Sequence, residues 1–313
     1  MNLPASPRQR FAADLHAALS HTPRSISPKY LYDEIGSTLF ERICELPEYY
    51  PTRTEKAILQ THAAEMAARI GPGAQLVEYG AGALHKVRAL LDHLQAPHSF
   101  VPVDISGTHL LAACAQLQQG YPALRITPVV ADFTQPHDLP PRPAQGRRVG
   151  FFPGSSIGNF SPTEALDFLR MAAAELRGGG LLVGIDLIKD PAVLHAAYSD
   201  SAGVTAAFNH NLLDRAQREL GAEFEADAFV HSAFYNAPLQ RIEMHLLSLR
   251  RQVLRLGGQD YVFEAGETLH TENSHKYSIA GFQAHAAQAG FSAGPVWTDP
   301  KQWFAMLWLN APA

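Results

Sequence analysis

Short hydrophobic runs alternate with amphipathic stretches through the middle of the chain. Uniformly apolar strands of four to six residues, separated by helices, indicate a parallel sheet that is covered on both faces. We therefore predict a doubly wound α/β domain. The predicted elements are helix 55–70, strand 76–80, helix 85–94, strand 100–105, helix 108–119, strand 126–133, strand 148–155, helix 163–176 and strand 180–187.

The pattern changes on both sides of this region. Residues 190–220 have mainly helical periodicity, whereas residues 240–256 alternate as a strand with one exposed face does. Residues 301–311 have strand composition and fit a final antiparallel strand. The N-terminal segment is helical and ends in an aromatic, proline-rich loop, PEYYPTRTE. We predict a second, mixed α+β domain, and assign residues 55–190 plus 277–313 to the first domain and 1–54 plus 191–276 to the second.

The composition restricts the possible partners. The chain has 313 residues, 18% of them charged, and a formal net charge of -5. Without a basic run it lacks the surface that neutralises phosphates, so we expect no nucleic-acid partner. It has no stretch of 18 apolar residues and no apolar segment typical of a secretory signal. These features predict a cytoplasmic protein without a membrane partner. We expect a monomer that acts on a small molecule.

The sequence shows no clear metal or disulfide framework. Cys44 and Cys114 lie in apolar helical surroundings and are too few for a disulfide scaffold or a CxxC zinc site. Among the 15 histidines, pairs such as His93 with His98 and His270 with His275 lack paired spacing on one face and a carboxylate partner. We predict two buried free thiols and no metal site.

The segment VEYGAGALHK has the pattern of a strand, a glycine turn and a helix start. Gly80 and Gly82 supply a turn at which backbone can approach a ligand closely. A dinucleotide fingerprint would place a third glycine at position 85, which is His85. Alone, the turn is weak evidence for a nucleotide.

Acidic residues at the next two strand ends strengthen the case. Asp104 closes the second strand, where a carboxylate can bind both ribose hydroxyls of a nucleotide. Asp132 and Phe133 close the third, where they can meet the adenine amino group and ring. This pattern favours an adenosine site without a pyrophosphate, which S-adenosylmethionine fits. Lys86 could pair with the methionine carboxylate, or could be a solvated lysine.

Longer strings resemble a known family. These strings are SPKYLYDEIGSTLFERICELPEYYPTRTE, YGAGALHKVR, VPVDIS, VVADFT, GSSIGN, DLIKDPAVLHAAY, GVTAAFN, RIEMHL and HTENSHKY. In this order, over nearly the whole chain, they resemble the histidine Nα-methyltransferases of ergothioneine biosynthesis. The resemblance implies a class I methyltransferase that methylates the α-amino group of L-histidine three times to give hercynine.

By this similarity, S-adenosylmethionine would be held by Gly80, Gly82, Lys86, Asp104, Asp132 and Phe133. The glycine loop departs from the family pattern, which is richer in serine and threonine, roughly GSGSSEK, where this chain has GAGALHK. Ala81, Ala83 and Leu84 offer no hydroxyl groups to the cofactor carboxylate. Backbone amides and Lys86 would have to bind it.

The resemblance also implies a histidine site in a cleft shared by two lobes. Gly154, Asn159 and Tyr198 would lie at the amino-acid end, with Asn159 and Tyr198 on the carboxylate. Glu272 and Ser274 would bind the imidazole with help from a tyrosine of EYYP, Tyr49 in preference to Tyr50. Tyr32, Phe40 and Met244 would surround the reacting amine, and the residues assigned to catalysis are Tyr32, Phe40 and Asn159.

Several alternatives stay open. Glu272 could be a capping carboxylate in a helix start, Asn159 could cap the helix that follows it, and the EYYP tyrosines could serve loop packing. A nicotinamide oxidoreductase would share the sheet and Asp104, but it would need the third glycine. A non-catalytic histidine-binding protein, or a methyltransferase for another amino acid or a histidine derivative, is also compatible with the sequence.

Overall fold

The structure is a computed structural model that describes residues 6–313; residues 1–5 of the predicted second domain lie outside this range. The helices are α1 (Pro7–Ser20), α2 (Glu34–Glu45), α3 (Tyr50–Ile70), α4 (Arg88–Leu91), α5 (Gly107–Gly120), α6 (Pro162–Glu175), α7 (Pro191–Tyr198), α8 (Val204–Leu220) and α9 (Ile279–Ala287). The strands are β1 (Arg24–Ser25), β2 (Gln75–Tyr79), β3 (Ser99–Asp104), β4 (Val129–Val130), β5 (Arg148–Phe152), β6 (Gly180–Asp186), β7 (Phe229–Asn236), β8 (Arg241–Ser248), β9 (Gln252–Leu256), β10 (Gln259–Phe263), β11 (Thr268–His275), β12 (Ser292–Thr298) and β13 (Phe304–Asn310).

The chain forms two compact units. The seven-stranded unit comprises Tyr50–Lys189 and Ser274–Ala313. The four-stranded unit comprises Asp190–Asn273 and the described part of Met1–Tyr49. These divisions fall near the boundaries expected from the sequence, and the assignment of a separate function to each part stays a prediction.

The seven-stranded unit contains a mainly parallel sheet with the strand order β12-β13-β6-β5-β2-β3-β4. Strands β2 to β6 pair in parallel, whereas β13 is antiparallel to both β6 and β12. This arrangement confirms the predicted doubly wound α/β sheet and the antiparallel strand near the C-terminus. The carboxyl ends of β2, β3 and β4 therefore lie side by side.

Both faces of this sheet are buried. Leu76 packs in one hydrophobic cluster with residues of α3 and α5, whereas its neighbour Val77 packs in another with residues of α6 and α9. Successive strand residues point to opposite faces, so helices on both sides require strands that are apolar throughout. This requirement explains the uniformly hydrophobic runs in the sequence.

The four-stranded unit has its own sheet, in the order β1-β11-β8-β7, and a separate β9-β10 hairpin. Strands β7 and β8 form an antiparallel pair over their full length. The single strand predicted over 240–256 is two strands, β8 and β9. A turn separates them, in which Ser248 Oγ donates to the carbonyl of Arg250 and accepts from Gln252 Nε2.

Three further local predictions are wrong. The predicted helix 85–94 shortens to α4, because the turn before it continues through Leu84, which has a left-handed backbone (φ 57°). The strand predicted over 126–133 shortens to β4, because Pro102 of β3 has no N–H to donate to Thr127 and the ladder is interrupted there. The predicted PEYYPTRTE loop is largely the start of α3, where Pro51 suits the first turn.

Within residues 6–313, none of the helices has the length and apolar content that a membrane crossing requires. No disulfide joins Cys44 and Cys114. The prediction that both are buried is confirmed for Cys114, which lies in the core, and is wrong for Cys44, which is only partly buried.

Candidate active site

The glycine turn after β2 leaves backbone accessible to a ligand. Gly80 and Gly82 both have positive φ, +67° and +50°. A Cβ at Gly80 would lie 3.4 Å from the ring of Phe133, whereas a Cβ at Gly82 would have no atom within 4 Å. The turn thus brings Gly80 against Phe133 and presents open backbone at Gly82.

Asp104, at the end of β3, is joined to this turn. Its Oδ2 accepts a hydrogen bond from Gly82 N–H at 2.9 Å, and its Oδ1 accepts from Ser106 N–H at 2.8 Å. A carboxylate oxygen can accept more than one hydrogen bond, so both oxygens keep acceptor capacity. This orientation suits a carboxylate that binds a pair of vicinal hydroxyls.

Asp132 and Phe133 follow β4. Asp132 Oδ1 accepts hydrogen bonds from the backbone N–H and the hydroxyl of Thr134, at 3.1 and 2.6 Å. Phe133 lies in a group of aromatic rings, with its centroid 5.6 Å from Phe152 and 6.0 Å from Phe168. These contacts fix both residues beyond the carboxyl end of the sheet.

Lys86 forms an ion pair that the sequence analysis did not predict. Its Nζ lies 2.6 Å from Oε2 of Glu55, whose side chain is fully buried. Glu55 Oε1 also accepts a hydrogen bond of 2.8 Å from Gly154 N–H. A Cβ at Gly154 would lie 3.1 Å from Lys86 Nζ, so this glycine permits close approach of the ammonium. Glu55 is the last residue of the PTRTE string. The presence of this string was the only feature of the sequence that pointed to Glu55.

Glu78 is a second acidic residue that the analysis missed. It lies inside β2, is 1% exposed, and its Oε2 has no hydrogen-bond partner among the described residues. Burial raises the pKa of this carboxyl well above its usual range, Lys86 opposes the shift, and Glu55 and Asp104 add to it. Glu78 could have been predicted as a site residue, because it is a carboxylate in an apolar strand two positions before the first glycine of the turn.

The four-stranded unit contains an aromatic cluster, formed by Tyr32, Phe40, Tyr49, Tyr198 and Phe208. The ring centroids of Tyr32 and Phe40 are 5.5 Å apart, and those of Tyr49 and Tyr198 are 6.1 Å apart. Phe40 joins the two pairs through Tyr49, and Phe208 packs against both Tyr32 and Phe40. The structure thus brings together four predicted residues; Phe208, in the quoted string GVTAAFN, had no predicted role.

Glu272 lies near this cluster. Burial raises the pKa of Tyr49 well above its usual range, and the charges of Tyr198, Cys44, Tyr32 and Glu272 add to the shift. Glu272 is only 7% exposed and belongs to strand β11. The interpretation of Glu272 as a helix cap is therefore wrong.

Asn209 connects the backbone at Tyr198 and the backbone at Met244 through side-chain hydrogen bonds. Its Nδ2 lies 3.0 Å from Nδ1 of His231, whose Nε2 is 2.9 Å from the carbonyl oxygen of Tyr198. Thr271 Oγ1 lies 2.6 Å from Asn209 Oδ1 and 3.0 Å from the carbonyl oxygen of Met244. This fully buried asparagine, also in GVTAAFN, holds two predicted substrate residues in place.

Tyr50 and Ser274 belong to a buried charged network around Asp186. Tyr50 Oη donates to Asp186 Oδ2 at 2.6 Å, and Lys189 Nζ donates to both Tyr50 Oη and Asp186. Lys276, whose side chain is fully buried, lies 2.8 Å from Asp186 and donates to Ser274 Oγ at 2.7 Å. Burial raises the pKa of Asp186, but the two ammonium groups outweigh it and lower the pKa below its usual value.

Asn159 ends a short 3-10 helix, Ser156–Asn159. The helix that follows, α6, is capped by Ser161 in a capping box with Glu164. The interpretation of Asn159 as its cap is therefore wrong. Ser155, just before the 3-10 helix, accepts a hydrogen bond from Asp186 N–H at 2.8 Å, which anchors this loop to the end of β6.

Comparison with known proteins decides the family. Residues 11–311 match the model of the S-adenosylmethionine-dependent, histidine-specific methyltransferases. The chain belongs to this family. It is 42% identical to a histidine N-alpha-methyltransferase of Mycolicibacterium smegmatis over 94% of this chain and 92% of that protein. It is 43% identical to a histidine N-alpha-methyltransferase of Mycobacterium tuberculosis over 91% and 90%.

A third relative comes from Neurospora crassa and is named ergothioneine biosynthesis protein 1. It is 35% identical over 64% of this chain, but the match spans only 23% of that longer protein. The chain is thus an S-adenosylmethionine-dependent N-methyltransferase with a class I methyltransferase fold, as the resemblance implied. The nicotinamide oxidoreductase alternative is wrong.

Proposed function

We propose that the chain transfers three methyl groups in succession from S-adenosylmethionine to the α-amino nitrogen of L-histidine, giving hercynine for ergothioneine biosynthesis. The observation that carries the substrate assignment is the buried carboxylate of Glu272 on β11, in the same unit as the aromatic cluster. A carboxylate beside aromatic rings suits a substrate with a ring N–H and a nitrogen that becomes a permanent cation.

The residues of the seven-stranded unit fit S-adenosylmethionine, which supplies a methyl group on a positively charged sulfur. Open backbone at Gly82 permits close approach, and Asp104 would accept the ribose hydroxyls. Asp132 and Phe133 would meet the adenine. Lys86, fixed by Glu55, would contact the methionine carboxylate, and the partnerless oxygen of Glu78 offers an acceptor for the methionine ammonium.

Recognition of the imidazole would depend on two residues of β11. Glu272 would accept the N–H of one ring nitrogen. Ser274, whose Oγ accepts a hydrogen bond from Lys276, would contact the other imidazole nitrogen. A buried pair of this kind rejects side chains that would leave it unsatisfied, so leucine and phenylalanine should be poor substrates.

The methyl transfer itself needs positioning more than acid-base catalysis. Alignment of the amine lone pair with the sulfur–methyl bond provides most of the advantage, and the displaced proton can pass to water. The positive sulfur favours the neutral amine. Each methylation removes an N–H donor, and the faces of Tyr32 and Phe40 can accommodate the growing cation without hydrogen bonds. Asn159 and Tyr198 would hold the substrate carboxylate in every round.

The proposal retains the sequence-based expectation of a cytoplasmic monomer with no nucleic-acid or membrane partner. A formal net charge of -5 and the absence of a basic run support the part that concerns nucleic acid. Light scattering coupled to gel filtration should give the mass of one chain, about 34.1 kDa; a larger mass at micromolar concentration would contradict this part.

Mass spectrometry of the purified protein with S-adenosylmethionine and an equimolar mixture of the twenty amino acids tests the proposed reaction. We expect only histidine to gain one, two and three methyl masses, with the trimethylated form as the end product. A gain on another amino acid would indicate a different substrate. Binding of histidine without any methylation would indicate a non-catalytic protein.

A further inference from the structure

Three metal-ligating side chains converge on the sheet of the four-stranded unit, outside the residues assigned to methyl transfer. Glu243 and His245 lie on β8, and His270 lies on β11. One ligand atom from each lies within 4.8 Å of those of the other two. Residues two apart on a strand point to the same face, and β11 is the next strand in the sheet. The sheet itself therefore holds the three side chains together.

We propose that Glu243, His245 and His270 form a binding site for a divalent transition metal of the Zn²⁺ class. Two imidazoles and one carboxylate are a ligand set that zinc sites use when a fourth position stays open to water. Imidazole nitrogen favours zinc, copper and nickel over Mg²⁺ and Ca²⁺, which prefer oxygen ligands. None of the three residues is assigned to the cofactor or to methyl transfer.

The surrounding hydrogen bonds orient the three ligands. His270 Nε2 lies 3.0 Å from the carbonyl oxygen of Glu272, which can only accept, so Nε2 carries the proton and Nδ1 the lone pair. His245 Nδ1 lies 3.2 Å from Thr268 Oγ1, and its Nε2 lies 3.2 Å from Glu243 Oε2. Partners of this kind on the far side of a ligand fix ring orientation in metal sites.

The carboxylate is oriented as well. Arg241 and Asn236 both donate to Glu243 Oε1, at 2.8 and 2.9 Å, which leaves Oε2 on the side of His245. The charge of Arg241 opposes a cation, so we expect weaker binding than in a site with four protein ligands. The side chains of Glu243 and His245 are largely buried, at 9% and 12% exposed, so a bound ion would be held mostly out of solvent.

The imidazole of His245 is stacked between two rings. Its centroid lies 4.5 Å from that of His270 and 5.3 Å from that of Phe234, with the planes nearly parallel. Ligand nitrogens around tetrahedral zinc are roughly 3.4 Å apart, since each bond is about 2.0–2.1 Å. A metal–nitrogen bond lies in the plane of its imidazole, so binding requires the parallel rings of His245 and His270 to unstack and tilt until both lone pairs point at one ion.

Histidines that lie close together in the chain, such as His93 with His98, give no sign of this site, and the prediction of no metal site was based on such pairs. The combination found here joins an E-x-H pair on one strand to a histidine from a distant strand. Only the pairing order of the sheet brings these residues together.

Calorimetric titration of chelator-treated, metal-free protein with Zn²⁺ tests the site. We expect one equivalent to bind the wild type, and the variant His245→Ala/His270→Ala to lose that equivalent. The matched control His93→Ala/His98→Ala removes two exposed histidines and should retain it. Circular dichroism verifies that each variant is folded. Co²⁺ in place of Zn²⁺ should give the visible absorption of a low-coordinate site in the wild type and the control only.

A less disruptive variant keeps the site testable if the double histidine variant does not fold. Thr268→Val removes only the partner of His245 Nδ1 and should weaken Zn²⁺ binding about 10- to 100-fold. Equal binding by the wild type and His245→Ala/His270→Ala, or no binding by the wild type at millimolar Zn²⁺, would overturn the proposal. Neither result depends on methyl transfer, so the proposed function stands or fails independently.

Discussion

Two adjacent tyrosines have different surroundings. Tyr49 packs its ring against Phe40 and Tyr198 in the aromatic cluster. Tyr50 donates its hydroxyl proton to the buried Asp186 and packs on Trp303. Tyr49 therefore suits contact with a substrate, whereas Tyr50 supports the charged network that also holds Ser274.

Removal of each hydroxyl should separate these two roles. Tyr50→Phe deletes a hydrogen bond to a buried carboxylate and should lower the free energy of unfolding by about 2 kcal/mol. Tyr49→Phe keeps the ring and should change the free energy of unfolding by less than about 0.5 kcal/mol. The same substitution should lower kcat/KM for histidine by about tenfold. Urea unfolding and initial rates measure both effects, and the reversed pattern would show that the roles are exchanged.

Some site residues were predictable at this scale and others were not. Asp104 could be predicted because a carboxylate directly after a buried strand, next to a glycine turn, has a known role in nucleotide sites. Glu55 could not, because it lies in a helix distant in sequence, and only the folded chain places it on Lys86 and Gly154. Glu272 was assigned from the resemblance alone, and its local sequence had suggested a helix cap.

At the scale of elements, the glycine turn between β2 and α4 carries the clearest prediction. Gly82→Ala and Gly73→Ala make a matched pair, since both glycines have positive φ and open space at the Cβ position. Each substitution should cost about 1 kcal/mol of stability because of backbone strain. Only Gly82→Ala should weaken binding of S-adenosylhomocysteine, by about tenfold or more, because its methyl group enters the space assigned to the cofactor. Equal affinity of both variants for this ligand, measured by calorimetry, would remove Gly82 from the cofactor site.

The link between α7 and β7 predicts a pH dependence. Burial lowers the pKa of His231, although the bond to Tyr198 opposes the shift. As the pH falls through about 6.5, the unfolded chain takes up this proton before the folded chain does. The free energy of unfolding is therefore highest above this pH and decreases below it.

Chemical unfolding between pH 7 and 5 measures this contribution. One proton of difference corresponds to a slope of about 1.4 kcal/mol per pH unit. His231→Leu should make the slope shallower even though it lowers stability at every pH, whereas the exposed control His93→Leu should leave the slope unchanged. A slope that His231→Leu does not alter would assign the acid sensitivity to other groups.

Elements were predictable where one physical requirement dominated. The buried strands β2, β3, β5 and β6 have mainly apolar sequences, because both faces of their sheet are covered. Boundaries were less predictable where a local feature interrupts the pattern. Pro102 of β3 interrupts the ladder to β4, and side-chain hydrogen bonds at Ser248 separate β8 from β9.

For the whole molecule, the sequence predicted two units but not every contact within them. The chain passes from one unit to the other after Tyr49, Lys189 and Asn273. Residues assigned to the cofactor all belong to the seven-stranded unit, and the aromatic cluster with Glu272 belongs to the four-stranded unit. That both sets of residues serve one reaction stays a prediction.

We propose above all that Glu272 binds the imidazole of histidine, while other residues bind the methyl donor. Calorimetric titration of L-histidine into protein saturated with S-adenosylhomocysteine tests it most directly, with Glu272→Gln compared with the wild type and with the exposed control Glu264→Gln. We predict that Glu272→Gln binds histidine about 10- to 100-fold more weakly, because a charge-assisted hydrogen bond is lost, and that its affinity for S-adenosylhomocysteine is unchanged. Unaltered histidine affinity, or a parallel loss of both ligands, would contradict the account.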